Sequence, residues 1–284
     1  MNKEKIAILV DSGSDVPQKL VEKYNMYVAR LKILYKDGEY RDGTEISAEE
    51  VYSKLQEEIP KTSLPSGQDI HNLFEQIKED GYEKVIAVTI SSGLSGTHNA
   101  IRIAAKDIEG LDVFVLDTKN IAIASGYSAI LAGEYIKEGL SFDKITKKLL
   151  VDAENSKVFF TVDTLEYLQK GGRIGLVSSI IGQKINLKPT ISCNEDGIYY
   201  TVTKNIGRKR SLKKTLELAV DYIGKSTNYN LGVVHGHAEK EAEELKKKLI
   251  EKLPNYNIFV DGQISPALGV HTGPGTIGIV VQKF

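Results

Sequence analysis

Hydroxyl side chains are concentrated in residues 91–97, SSGLSGT, which follow the apolar run VIAVTI. The stretch is not a Gly-x-Ser-x-Gly nucleophile turn, because Gly96 follows Ser95 directly. It also lacks the Gly-Lys-Ser/Thr ending of a nucleotide-binding loop. Two interpretations remain: a serine-rich helix cap, or an anion site in which hydroxyls and free backbone N–H groups meet at a helix N-terminus.

Three other segments carry side chains suited to binding or catalysis. Thr62 and Ser63 lie in KTSLPS, which we interpret as a loop between two helices, where hydroxyls usually cap their own helix. Arg173 follows the glycine pair of YLQKGGRI, without an opposite charge nearby in sequence. His271 lies in GVHTGPGTIG, a glycine-dense turn where a backbone or a ligand must approach closely. Each of these side chains also has an ordinary structural interpretation.

Two further motifs indicate ligand binding less specifically. DSGSD could hold a metal between two carboxylates, but a strand end at Asp11 and a helix cap at Asp15 explain it as well. Gly273, Gly275 and Gly278 match the dinucleotide-binding spacing. However, only IVVQKF follows, which leaves no room for the required helix. We therefore predict neither a metal nor a cofactor on this chain.

A catalytic serine is the alternative to a binding site. Such a nucleophile needs an adjacent base that is held by a third group. The chain has five histidines, so an acyl hydrolase with Ser95 as nucleophile and His271 or His98 as base stays open. DSGSD and SSGLSG alone would also permit an enzyme that acts on a small phosphorylated metabolite.

The elements that must position these residues alternate between strand and helix. The runs KIAILVD, MYVARLKILY, KVIAVTI and DVFVLD are separated by helical-period segments, which favours a parallel sheet with helices on its faces. From about residue 157 the pattern changes to a hairpin around Asp196-Gly197 and two further strand–helix alternations. We predict an α/β protein of two closely packed domains, with the ligand at their interface. Residues 1–160 would form the parallel-sheet domain and residues 161–284 a mixed-sheet domain.

Local signals mark individual helices. Ser47 followed by Glu50 predicts a capping box, and Asp15 before Pro17 is a similar helix start. The segment 121–136 is apolar on nearly every face, so its helix should be buried or line a cavity.

The overall charge is balanced, with 37 Lys plus Arg against 38 Asp plus Glu and a formal charge of -1. We therefore expect no attraction to nucleic acid and no stable membrane insertion, and electrostatic recognition must be local. The single cysteine, Cys193, and a start that resembles neither a signal peptide nor a membrane span favour a reduced, cytoplasmic protein.

A local basic cluster lies near the predicted start of the helix SLKKTLELAVDYI. It consists of Arg208, Lys209, Arg210, Lys213 and Lys214. Cations at a helix N-terminus oppose the helix dipole, so helix stability does not explain them. They form either a solvated basic face or a surface for an acidic partner.

Taken in order, DSGSDVP, TSLPS, SSGLSGT, YLQKGGRI, LKP with the EDG turn, and HTGPG closely resemble the motifs of the DegV family. The resemblance runs from Asp11 to Gly278 and implies a two-domain α/β protein that binds a long-chain fatty acid. It also implies a carrier that is not itself an enzyme. Such a carrier presents the fatty acid carboxylate to a separate fatty acid kinase subunit, which supplies ATP and makes the acyl-phosphate.

The resemblance also assigns residues. Thr62 and Ser95 match the positions that hydrogen-bond the carboxylate. The full set expected around the carboxylate is Thr62, Ser95, Ser63, Gly96, His271 and Arg173. The expected walls of the acyl-chain pocket are Ile121, Ala122, Ala124, Ile174, Leu176, Val177, Ile180 and Ile181. From the basic cluster itself, rather than from the resemblance, we expect Arg208, Lys209 and Arg210 to meet an acidic surface of the kinase.

Two departures from the family pattern affect these expectations. Leu64 stands where the family often has Gln, which removes a polar contact. Ala122 and Ala124 stand where the family often has Ser and Gly. Because added methyl groups in a tail tunnel take up space, we expect the acyl preference to differ from that of relatives with smaller residues.

Overall fold

The computed structural model describes residues 2–180 and 186–284, and the strands of these residues form three sheets. In chain order the strands are β1 (Ile6–Asp11), β2 (Tyr27–Ala29), β3 (Lys32–Tyr35), β4 (Gly38–Arg41), β5 (Lys61–Ser63), β6 (Lys84–Thr89), β7 (Asp112–Asp117), β8 (Ser156–Thr161), β9 (Thr190–Cys193), β10 (Tyr199–Thr203), β11 (Tyr229–Gly236), β12 (Phe259–Gln263) and β13 (Thr276–Lys283). The helices are α1 (Gln18–Lys23), α2 (Ala48–Lys54), α3 (Gly67–Glu79), α4 (Thr97–Asp107), α5 (Ile123–Lys137), α6 (Phe142–Glu154), α7 (Glu166–Lys170), α8 (Arg208–Ile223), α9 (Glu239–Lys252) and α10 (Pro266–Thr272). Short 3₁₀ segments span Ser12–Ser14 and Gly175–Ile180.

The first sheet is parallel, with the strand order β2-β1-β6-β7. Alternate residues of β1 point to opposite faces: Ile6, Ile8 and Val10 pack against α5 and α6, whereas Ala7 and Leu9 pack against α3 and α4. Since both faces are covered, the strand is apolar at nearly every position. The predicted parallel-sheet α/β architecture of the first half is confirmed.

Helix α5 lies between the first two sheets. It contacts β1 and β6 on one side and β8 and β13 on the other, and residues 123–133 are all buried. At its centre, the fully buried Tyr127 donates a hydrogen bond to the carbonyl oxygen of Leu231. This enclosure explains why the segment is apolar on every face, and it confirms the predicted buried helix.

The second sheet is mixed, with the strand order β10-β9-β8-β13-β11-β12. β11 and β12 run parallel, and the other neighbouring pairs are antiparallel. Strands β9 and β10 form the hairpin that the Asp196-Gly197 turn predicts. Helices α8 and α9 cover the outer face of this sheet.

A third, antiparallel sheet, β4-β3-β5, differs from the sequence prediction. The run MYVARLKILY divides into β2 of the first sheet and β3 of this one. The prediction of a helix-to-helix loop at residues 61–66 was wrong, because Thr62 pairs with Ile33 and makes β5 an edge strand. Pro60 and Pro65 flank this short strand at positions where a missing N–H donor does no harm.

Of the two predicted helix starts, one is confirmed and the other was wrong. The capping box at Ser47 is confirmed, with reciprocal hydrogen bonds between Ser47 and Glu50. The prediction of a helix cap at Asp15 was wrong, because Asp15 ends the 3₁₀ segment with φ 49° and α1 begins after Pro17. The Asp15 carboxylate instead accepts a hydrogen bond from the backbone N–H of Ser265, at 3.0 Å.

The change from one sheet to the next occurs at β8, which begins at Ser156 and belongs to the second sheet. The division into domains at residue 160 stays a prediction. Across residues 2–180 and 186–284, no helix has both the length and the apolar character needed to cross a bilayer.

Candidate functional site

A cavity of about 160 Å³ lies between β5, the loop before α4 and helix α10. Its polar wall contains Thr62, Ser63, Ser95, Gly96, Arg173 and His271. These are the residues that the family resemblance assigns to the carboxylate, and the fold brings all of them to one cavity. Their role as a carboxylate site stays a prediction.

Thr62 and His271 are joined by a hydrogen bond of 2.6 Å between Oγ1 and Nε2. Thr62 is held by the β5 ladder, whereas His271 lies in the last turn of α10. The sequence prediction that His271 belongs to a glycine-dense turn was wrong. Pro266 begins a helix at a position that proline favours, and the helix ends only at Gly273, with φ 68°.

The imidazole of His271 is neutral at pH 7. Burial, and secondly the nearby Arg173 guanidinium, lower the pKa of His271 to about 4. Its Nδ1 is buried and, among the described residues, has no hydrogen-bond partner. A Cβ on Gly171 would lie 2.1 Å from that nitrogen, so the ring can occupy this position only because residue 171 is glycine.

Ser95 lies in the tight turn that leads into α4. Its Oγ lies 2.9 Å from Thr97 Oγ1 and accepts a hydrogen bond of 3.3 Å from the backbone N–H of Thr97. Gly96 is the N-cap residue of α4 and contributes no capping side chain. The turn therefore offers hydroxyl and backbone donors at the positive end of a helix, as the anion-site interpretation requires.

Arg173 spans the cavity wall and connects two loops. Its Nε donates to the carbonyl oxygen of Leu94 at 3.1 Å, and its Nη1 donates to that of Gly171 at 2.9 Å. These acceptors are neutral, and in residues 2–180 and 186–284 no carboxylate forms an ion pair with Arg173. The guanidinium therefore gives the cavity a positive charge that a bound anion would compensate.

A second, apolar cavity of about 30 Å³ adjoins the first. Four residues line both cavities: Ile121, Tyr199, Leu268 and Thr272. The other walls of the apolar cavity come mainly from the second sheet: Ala122, Val158, Phe160, Val234, Ile264, Thr276 and Gly278. Ile121 and Ala122 are predicted from the sequence, whereas the lining residues of the second sheet are not.

The other predicted tail-pocket residues lie elsewhere. Ala124 is fully buried, and its carbonyl oxygen accepts a hydrogen bond of 2.8 Å from Ser156 Oγ. It does not line either cavity, because residues two apart at a helix start point in different directions. Three others pack in the same apolar core as Tyr199 without lining these cavities: Ile174, Val177 and Ile180. Leu176 is exposed, and Ile181 lies outside the described residues.

The geometry does not support the hydrolase alternative. Ser95 Oγ bonds within its own turn, to Thr97. His271 Nε2 is paired with Thr62, and His98 Nδ1 lies 3.2 Å from Thr89 Oγ1. Across residues 2–180 and 186–284, neither histidine forms a hydrogen bond to Ser95, so neither is placed as its general base.

The DSGSD motif is a structural element. Asp11 accepts hydrogen bonds from Ser14 Oγ at 2.9 Å and from the backbone N–H of Ile90 at 2.8 Å. Burial raises the pKa of Asp11 to about 7. Within the described residues, no group of three metal-ligating side chains is suitably placed to hold an ion.

The basic cluster lies where the sequence places it, at the start of α8. Arg208 is half-buried and forms two hydrogen bonds with the Glu241 carboxylate of α9, at 3.2 and 3.0 Å. Lys209 and Arg210 are exposed. The cluster therefore contains one structural arginine, and two lysines, Lys213 and Lys214, that pair with Glu217 of the same helix. Lys209 and Arg210 are accessible to a partner.

Comparisons with known proteins agree with this architecture. The model of the DegV family, described as a family of uncharacterised proteins, matches residues 5–283. A DegV domain-containing protein of Clostridium acetobutylicum is 44% identical over 280 residues, which cover 99% of each chain.

Two solved structures are similar over almost their full length. A fatty acid-binding DegV family protein from Thermus thermophilus has a TM-score of 0.93 at 26% identity, with 100% of both chains covered. A stearic acid-binding protein from Eubacterium ventriosum has a TM-score of 0.89 at 27% identity, with 98% of both chains covered. On the family match and on its identity to the clostridial protein, the chain belongs to the DegV family.

Proposed function

We propose that the chain binds one long-chain fatty acid, with the carboxylate in the polar cavity and the tail in the apolar cavity. The observation that carries this proposal is that the polar and the apolar cavity adjoin and have four lining residues in common. The similar proteins from T. thermophilus and E. ventriosum, described as binding fatty acid and stearic acid, support the same ligand class.

The hydrogen-bond donors of the polar cavity suit a carboxylate, which accepts hydrogen bonds but does not donate them. Neutral His271 carries one ring proton. With that proton on Nε2, the histidine donates to Thr62 Oγ1, and the threonine hydroxyl hydrogen is free to donate to the ligand. Ser95 supplies a second hydroxyl, and Arg173 supplies the compensating charge.

Most of the affinity comes from the tail. Burying a methylene is worth roughly 0.8 kcal/mol, so about 14 of them offer on the order of 11 kcal/mol before the costs of association. Two neutral hydroxyl hydrogen bonds add about 1 kcal/mol each. The apolar cavity of about 30 Å³ is too small for such a tail, so binding must push its packed walls apart. The polar residues then contribute the smaller share of the affinity and mainly fix the position of the carboxylate.

We infer further that the bound carboxylate is presented to a separate kinase subunit. That partner would supply ATP and transfer its terminal phosphoryl group to a carboxylate oxygen, which forms the acyl-phosphate and releases ADP. This chain would act in the cytoplasm as a non-catalytic carrier without a cofactor. Two features support this role: the absence of a nucleotide-binding loop from the sequence, and the exposure of Leu64 at the rim of the polar cavity.

We propose that the docking surface for the kinase consists of Lys209 and Arg210. Arg208 is held by Glu241, so its charge is already compensated. The two exposed cations at the start of α8 remain suited to an acidic surface of the kinase.

Mass spectrometry of the protein purified without added ligand is the first test of fatty acid binding. We expect a stoichiometric long-chain fatty acid that is released on denaturation. A protein without lipid that also fails to bind added hexadecanoic acid would refute the proposal.

A double variant, Thr62→Ala with Ser95→Ala, tests the head-group site. We expect weaker binding of hexadecanoic acid and slower acyl-phosphate formation with a fatty acid kinase subunit. Ser92→Ala is the matched control, because Ser92 is an exposed serine of the same loop and does not line the cavity. Equal turnover in all three proteins would count against the carrier role.

A further inference from the structure

The tip of the β9–β10 hairpin docks against the loop that carries Ser95. Ser91, which is fully buried, donates a hydrogen bond of 2.8 Å from its Oγ to the carbonyl oxygen of Gly197. The approach is close on both sides. A Cβ on Gly197 would lie 1.8 Å from Ser91 Oγ, and a Cβ on Gly93 would lie 2.8 Å from the carbonyl oxygen of Asp196. Glycine at both positions is what allows the two loops to touch.

Ser91 also organises its own loop. Its Oγ accepts a hydrogen bond of 3.0 Å from the N–H of Gly93, and its carbonyl oxygen accepts from the N–H groups of Leu94 and Ser95, at 3.0 and 3.1 Å. Its N–H donates to the carbonyl oxygen of Asn120 at 2.7 Å. The orientation of Ser95 therefore depends on a chain of contacts that converge on Ser91.

The hairpin tip is held by hydrogen bonds within its own turn. Asn194 Oδ1 accepts hydrogen bonds from the N–H groups of Asp196 and Ile198, at 3.1 and 2.8 Å. The N–H of Gly197 donates to the Asn194 carbonyl oxygen at 2.9 Å. An Asx-type turn of this kind fixes the direction of the Gly197 carbonyl, which is the group that Ser91 binds.

We propose that Ser91 and residues 194–198, which we call the hairpin clasp, position Ser95 for the carboxylate of the ligand. Ser91 is a positioning residue, since it is buried beneath the loop and does not line the polar cavity. The inference rests on the proposed fatty acid function. It adds that recognition of the carboxylate by the first half of the chain requires the turn of a hairpin in the second half.

If the clasp positions Ser95, its loss should weaken binding of the carboxylate head group without weakening binding of the tail. The probes are hexadecanoic acid and hexadecan-1-ol, which share a tail and differ in the head group. In the delipidated protein, Ser91→Ala should weaken binding of the acid about fivefold and change binding of the alcohol by less than about twofold. A purely structural role for Ser91 would weaken both ligands equally.

Two further variants make the test decisive. Asn194→Ala loosens the hairpin tip without touching the Ser95 loop, and it should reduce the preference for acid over alcohol in the same direction, even if Ser91→Ala fails to fold. Ser192→Ala is the control, because Ser192 is a fully buried serine of the same hairpin whose Oγ has no hydrogen-bond partner among the described residues. It should leave the acid-to-alcohol preference unchanged.

The outcomes separate the two proposals. A wild-type protein that prefers the acid, with the same preference in Ser91→Ala and Asn194→Ala, overturns the clasp and leaves the carboxylate site standing. A wild-type protein without a preference for the acid overturns the carboxylate site, and the clasp with it. Loss of the preference in both variants, but not in Ser192→Ala, supports the clasp.

Discussion

His271 Nε2 lies 2.6 Å from Thr62 Oγ1, and this hydrogen bond joins helix α10 to the edge strand β5 across 209 residues of sequence. Because the ring is buried and neutral, the contact is a hydrogen bond between uncharged groups. It aligns the threonine hydroxyl, whereas burial and the nearby Arg173 guanidinium keep the histidine uncharged near neutral pH.

The buried ring of His271 should make stability depend on pH. Its folded pKa of about 4 lies below the ordinary value of 6.5, so the histidine contributes stability above pH 6.5 that is lost as the pH falls towards 4. The expected loss is about 3 kcal/mol. Urea unfolding at pH 7.5 and 4.5 should show that His271→Gln loses less of its unfolding free energy than the wild type. Equal losses would contradict the neutral, buried ring.

The stability that Asp11 contributes should depend on pH in the opposite sense to that of His271. Its folded pKa of about 7 lies above the ordinary value of 3.8, so the stability it contributes is complete below pH 3.8 and is lost as the pH rises through 7. Asp11→Asn mimics the protonated carboxyl towards Ser14 and Ile90. Relative to the wild type, its unfolding free energy should rise by a few kcal/mol between pH 5 and pH 8. A constant difference across that range would show that Asp11 is ionised in the folded protein.

Ala122 has φ 55° and ψ -150°, a region that is costly for any residue with a Cβ. Ala122→Gly should therefore raise the unfolding free energy by about 1 kcal/mol and widen the apolar cavity. Ala124→Gly is the control, since it places glycine inside α5 and should lower stability by about 1 kcal/mol. Profiles of bound acids should shift towards bulkier tails in the first variant and stay unchanged in the second. A shift caused by Ala124→Gly alone would restore the original assignment of that residue to the tail pocket.

Gly278 lies in the floor of the apolar cavity, opposite Phe160 of β8 and Val234 of β11. A Cβ there would lie 3.2 Å from Val234 Cγ2 and 3.3 Å from Phe160 Cβ, so the neighbours must give way. Gly278→Ala should weaken binding of hexadecanoic acid about tenfold and of decanoic acid less, because the longer tail needs more of the cavity. Equal effects on both acids would place the tail elsewhere.

Charge reversal at Lys209 and Arg210 should slow association with the kinase subunit, most strongly at low salt. The expected reduction in the association rate is about tenfold or more at low ionic strength. The control is reversal of Lys144 and Lys147, which are exposed on α6 in the first half of the chain. Surface plasmon resonance across a salt series measures the association rates of both variants with the kinase subunit. Unchanged rates in the Lys209/Arg210 variant would mean that these cations form a solvated face.

The polar wall could be predicted from sequence because each of its residues lies in a recognisable motif. The strand that carries Thr62 could not be predicted, because a strand of three residues is too short to show periodicity. Alternation along β13 predicts that Gly278 and Val280 share a face. It does not show which face lines the cavity, because both faces are covered by helices. Helix α5 lies on one side of the sheet, and α8 and α9 lie on the other.

Strand β13 lies between β8 and β11 in the second sheet, and it contributes Gly278 to the apolar cavity. During synthesis, β8 and β11 cannot be joined through their common neighbour until residues 276–283 have left the ribosome. Until that moment the nascent chain exposes two strand edges that are open to pairing with other chains. The cavity therefore cannot form before β13 has been synthesised and has paired with both neighbours.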